Sequence, residues 1–98
     1  MFQTKKVQYA LSKALIEWRI EKNLSQERLA TLSGLSRQYI SRLESCKQLP
    51  RLDSVLQLLL PLEKTFSDLG HALDASLRED EKFPAHMAAE KKPFWNEK

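Results

Sequence analysis

The chain of 98 residues holds one cysteine, two glycines and four prolines. A lone Cys46 cannot form an internal disulfide, and it suits a reducing compartment. With only Gly34 and Gly70 present, no glycine-rich loop is available to cradle a phosphate. His71 and His86 have no zinc-ligand spacing to each other or to Cys46, so no metal and no cofactor is expected. No nucleophile stands beside a base. Cys46 next to Lys47 reads either as a redox-sensitive thiol or as an ordinary turn residue, and enzymatic activity is not expected. The longest apolar run, Val55 to Leu62, falls far short of the ~20 residues of a membrane span. Met1 to Ala10 lacks the apolar stretch of a secretory signal, so a cytoplasmic protein without membrane contact is expected.

What is present is a single-domain composition, 42% hydrophobic with a net charge of +3. The charge is uneven. Up to Arg51 there are ten cations against four anions, and beyond it six against nine. The first part is therefore +6 and the second −3, and a basic half of this kind is the electrostatic footprint of a phosphate-facing surface.

The basic half contains the stretch around which the chain is organised, Leu24 to Glu44. Ser25 and Ser36 each precede a helical pattern, where a hydroxyl can accept from the first unpaired backbone N–H groups. Between them Ser33-Gly34-Leu35 supplies a break, because Gly34 can take positive φ at little steric cost. Inward positions fall at Leu29, Ala30, Leu35, Ile40 and Leu43. Two short helices hinged on one glycine, with small Ala30 at the crossing opposite Ile40, describe a helix-turn-helix.

Before it, Val7, Leu11, Ala14, Leu15 and Trp18 recur at helical spacing and predict a first helix over about Val7 to Lys22, closed by a left-handed Asn23. After it, Ser45 to Pro50 reads as a loop and Leu52 to Leu60 as a fourth helix, with Leu52, Val55, Leu56 and Leu59 covering the unit from below. Pro61 is expected to end or kink that helix. Thr65 with Asp68 forms a capping-box-like start to a fifth helix near Phe66, whose stripe is Leu62, Phe66, Leu69, Leu73 and Leu77. The expected architecture is all-α: a five-helix domain over residues 1–77 and a charged extension over 78–98. In the extension Phe83-Pro84 breaks the chain, Ala85 to Lys92 has room for one or two helical turns, and Phe94-Trp95 closes with an aromatic pair.

The pattern LSQERLATLSGLSRQYISRLE resembles the Cro/repressor (Xre-like) helix-turn-helix family, over Leu11 to about Leu60. One departure is Cys46, where the family usually has glycine. The resemblance implies a lambda-repressor-like fold and double-stranded DNA as partner. It places Arg37, Gln38 and Arg42 at base edges in the major groove, with Ser41 as a further candidate; arginine suits guanine O6/N7 and glutamine adenine N6/N7. It marks Gln26, Tyr39, Ser45 and Lys47 as phosphate contacts, which hold register and carry no base code. It pairs Arg19 with Glu44, a phosphate contact being the rival role for Arg19.

The resemblance implies a homodimeric transcriptional regulator, most simply a repressor on a palindromic operator. The seam is expected on the fifth helix at Phe66, Leu69, Leu73 and Leu77, as apolar surface beyond what a four-helix core needs. The rival is a HipB-like antitoxin that also binds a toxin, with Phe94 and Trp95 as the anchor. An activator of the restriction–modification controller kind is a third reading.

Overall fold

Five helices occupy residues 4–78, the part of the chain that the computed structural model describes. They are α1 (Thr4–Glu21), α2 (Gln26–Ser33), α3 (Arg37–Glu44), α4 (Leu52–Leu62) and α5 (Phe66–Arg78), and no strand occurs among the described residues. The fold is all-α, as expected. Of the extension, Arg78 forms the last residue of α5, and the rest, with Phe94 and Trp95, lies outside the described residues.

Local chemistry sets the boundaries. Ser25 Oγ accepts from the Arg28 N–H at 2.9 Å and Ser36 Oγ from the Tyr39 N–H at 3.0 Å, so each short helix starts where its serine stands. Gly34 at φ 81° closes α2 through its N–H to the Ala30 carbonyl. Thr65 and Asp68 cap α5 reciprocally: the Thr65 N–H donates to Asp68 Oδ2 at 2.9 Å and the Asp68 N–H to Thr65 Oγ1 at 3.1 Å. The Thr65 backbone N–H, and after it the Thr65 hydroxyl, hold the Asp68 carboxyl below its ordinary range.

α1 starts at Thr4, three residues earlier than the apolar spacing suggests. Lys6 and Ala10 are both buried and extend the packed face one turn towards the N-terminus. Apolar spacing cannot find this turn, because its buried member Lys6 is not apolar. Asn23 takes the expected left-handed conformation at φ 58°, with the Leu24 N–H returning to the Arg19 carbonyl at 3.0 Å.

The core gathers Leu11, Leu15, Leu29, Ala30, Ile40, Leu43, Leu58, Leu59, Leu62 and Leu69, with Trp18, Leu24, Leu35, Tyr39, Val55 and Leu73 packed against it. α1 lies against α5 and α3, and α2 against α3 and α4. Leu29, Ile40 and Leu43 are each 1% exposed, and each contributes roughly 1.5–3 kcal/mol by leaving water. Leu29→Ala, which would leave a void where the two motif helices meet, would cost about 2–5 kcal/mol.

α4 departs from expectation in two ways. Leu52 and Leu56 do not cover the core: they are 74% and 46% exposed, while Ser54, Leu58, Leu59 and Leu62 are buried. Leucines spread over more than half of this helix's circumference, too wide an arc for periodicity to fix the inward edge, and packing chooses the Leu58-Leu59-Leu62 edge. Pro61 does not end the helix at Leu60 either. The helix runs on to Leu62, which is fully buried, and closes at left-handed Glu63, φ 59°. In the last turn proline leaves only the Gln57 carbonyl without its helical donor, and the burial of Leu62 offsets that loss.

α5 also differs. Leu69 belongs to the core at 8% exposure and Leu73 packs against it, while Leu77 is half-buried. Its stripe is therefore largely used to hold α5 on α1, and only Phe66, at 47% exposure, stands out to solvent. Ile20, Leu32 and Leu49 are exposed singly, whereas Leu52, Leu56 and Leu60 follow one another at helical spacing along α4, with Leu52 and Leu56 next to Phe66.

Candidate nucleic-acid interface

α3 buries Ile40 and Leu43 and turns its other face outward. Arg37, Gln38 and Arg42 are exposed on that face with Ser41 half-buried between them, so the four candidate base readers share one surface. At eight residues the helix is too short to be stable alone and depends on bracing. Ser36 braces its start.

Its end is braced by a cluster of side chains. Glu44 receives Arg19 Nε on Oε2 at 2.7 Å, and Arg19 Nη2 on Oε1 at 3.0 Å. Gln26 Nε2 donates to the same Oε1 at 2.9 Å, and Arg19 Nη1 donates to the Leu24 carbonyl at 2.8 Å. All three guanidinium nitrogens of Arg19 are therefore engaged inside the protein. The Glu44 side chain is 6% exposed and that of Arg19 16%, so the charges satisfy each other largely out of water. The cluster ties α1, the start of α2 and the end of α3 together. Gln26, a candidate phosphate contact, spends one amide N–H on it and keeps the other.

The remaining candidates differ in readiness. Lys47 is exposed beyond the end of α3. Tyr39 is half-buried, its ring against the core and its hydroxyl accepting from the Arg51 N–H at 3.4 Å. Ser45 turns its hydroxyl back onto the Ser41 carbonyl at 2.8 Å, so reaching a phosphate requires it to leave that bond.

Cys46 stands where glycine is usual, at φ 63°. Its sulfur is 3.1 Å from Ser12 Oγ on α1 and 3.8 Å from the Gln8 carbonyl, which anchors the turn from outside the motif. Sequence reasoning also missed Gln48, whose Oε1 accepts from Arg42 Nε at 2.9 Å, and the bond from Gln57 Nε2 to the Ser33 carbonyl at 3.3 Å that fastens α4 to the motif turn. Apart from the glycine expected at position 46, no motif pattern points to these contacts, because they join loop or distant positions that helical periodicity does not relate.

A capped helix pair hinged at glycine, its second member presented outward from a basic half, defines a helix-turn-helix domain. The comparisons agree. Residues 15–69, more than half of the chain, match the helix-turn-helix family model, and the chain belongs to that family.

An uncharacterized HTH-type transcriptional regulator of Haemophilus influenzae is 45% identical over 58 residues. That match spans 59% of this chain and 59% of the relative's own length. Among solved structures, the restriction-modification controller protein C.AhdI from Aeromonas hydrophila is 35% identical with a TM-score of 0.61, over 63% of this chain and 94% of that one. The controller protein C.Esp1396I, solved as a tetramer with its natural 35 base-pair operator, is 28% identical with a TM-score of 0.62, over 78% and 95%.

Proposed function

We propose that this chain is a sequence-specific DNA-binding transcriptional regulator that acts as a homodimer, most simply a repressor. The observation that carries the reading is α3, which presents Arg37, Gln38, Ser41 and Arg42 on one outward face while the Arg19–Glu44–Gln26 cluster fixes its end. Arginine and glutamine are the side chains that bond purine edges bidentately. Lys47 and Gln26 flank that face as phosphate contacts, and the basic half supplies the non-specific attraction.

One such helix covers only a few base pairs, so two copies about 34 Å apart on a palindrome supply the specificity. The second copy joins through Leu52, Leu56 and Leu60 of α4 with Phe66 of α5, an apolar face that the protomer leaves uncovered. This seam keeps Phe66 from the one expected at Phe66, Leu69, Leu73 and Leu77 and moves the rest to α4, because Leu69 is buried and Leu73 packs against the core.

The likeness to C.AhdI favours a second reading, a regulator of the restriction-modification controller kind, with activation as its sign. A reporter driven by the DNA upstream of the chain's own gene tests both. Repression on producing the protein supports the first reading, activation the second, and an unchanged signal without binding to that DNA would count against both.

A further inference from the structure

The loop after α3 returns a side chain to the reading face. Cys46 takes its left-handed turn and the Lys47 N–H closes on the Arg42 carbonyl at 2.9 Å. That tight exit brings half-buried Gln48 beside Arg42, whose Nε donates to Gln48 Oε1 at 2.9 Å.

A guanidinium can meet guanine O6 and N7 in two ways, through Nε with one terminal nitrogen or through both terminal nitrogens. With Nε engaged, the second way is left, and Nη1 and Nη2 of Arg42 have no other partner among the described residues. We propose that Gln48 is a positioning residue that holds Arg42 for end-on reading of one guanine in each half-site, an inference that rests on the DNA-reading role of α3. Gln48 touches no base in this scheme. It acts by removing the rotational freedom that a long, exposed side chain otherwise gives up on binding, an effect of about 2- to 10-fold in affinity.

The test uses the full chain and a pool of duplex DNA with a randomised centre. Wild type, Arg42→Ala, Gln48→Leu, Gln48→Ala and Gln48→Glu are each carried through selection, and the enriched sequences are compared base by base. Wild type is expected to enrich a motif with a guanine that Arg42→Ala no longer selects. Gln48→Leu and Gln48→Ala should weaken the preference for that same guanine by about 2- to 10-fold, and Gln48→Glu should retain it, since a carboxylate also accepts from Nε.

The proposal is overturned if the guanine preference survives Gln48→Leu and Gln48→Ala. It is equally overturned if a different base changes, which makes Gln48 a reader itself, or if all positions weaken together, which makes its role structural. Failure of wild type to enrich any motif would remove the DNA-reading role as well, whereas a wild-type motif untouched by the Gln48 variants removes the positioning role alone.

Discussion

Arg19 and Glu44 meet side-on across the domain, Arg19 Nε 2.7 Å from Glu44 Oε2 and Arg19 Nη2 3.0 Å from Oε1. The contact joins the last turn of α1 to the last residue of α3, so the orientation of the exposed reading face depends on a largely buried ion pair.

Breaking the pair on one side should cost more than breaking it on both. Glu44→Ala leaves the Arg19 guanidinium enclosed without its anion and is expected to lower stability by about 3 kcal/mol. Adding Arg19→Ala should recover part of that loss in a double-mutant cycle followed by urea unfolding. Strict additivity would show that the two side chains act independently.

The seam on α4 makes a separate prediction. Leu56→Glu places a charge on exposed surface, so the protomer should keep its fold and melting behaviour while light scattering reports a monomer. Leu73→Glu, by contrast, puts a charge against the core and should unfold the chain. A Leu56→Glu variant that stayed dimeric would move the interface elsewhere.

Cys46 gives a prediction of opposite sign. A side chain at φ 63° is strained relative to glycine, so Cys46→Gly should raise stability by about 0.5–1 kcal/mol in thermal unfolding. A loss of similar size would show that the sulfur's contacts with Ser12 and Gln8 outweigh the backbone strain.

The helix-turn-helix was legible because each of its rules is local. Ser25, Gly34 and Ser36 act on backbone groups within three or four residues, and Ile40 and Leu43 stand one helical turn apart on α3. α4 was legible as a helix but not in its exact orientation, since its leucines spread over too wide an arc to mark one inward edge. The burial of Leu69 and the packing of Leu73, both expected at a seam with Phe66 and Leu77, were hidden for a related reason: a stripe shows that a face is apolar, not whether it packs on its own protomer or on another. In the site, exposure of Arg37, Gln38 and Arg42 followed from the inward placement of Ile40 and Leu43. The roles of Gln48 and Gln26 did not, because Gln48 reaches Arg42 only through the turn geometry at Cys46, and Gln26 meets Glu44 only once α2 and α3 have crossed.

The reading face itself is tested by binding titrations on two duplexes of equal length and composition, one the sequence that wild type enriches from random DNA and the other shuffled. Arg42→Ala is expected to cost about 1–3 kcal/mol on the enriched duplex and little on the shuffled one, while Lys47→Ala weakens both alike and lowers the salt slope by about one. A ratio of specific to non-specific binding that is unchanged in Arg42→Ala would contradict the assignment of α3 as the element that reads sequence.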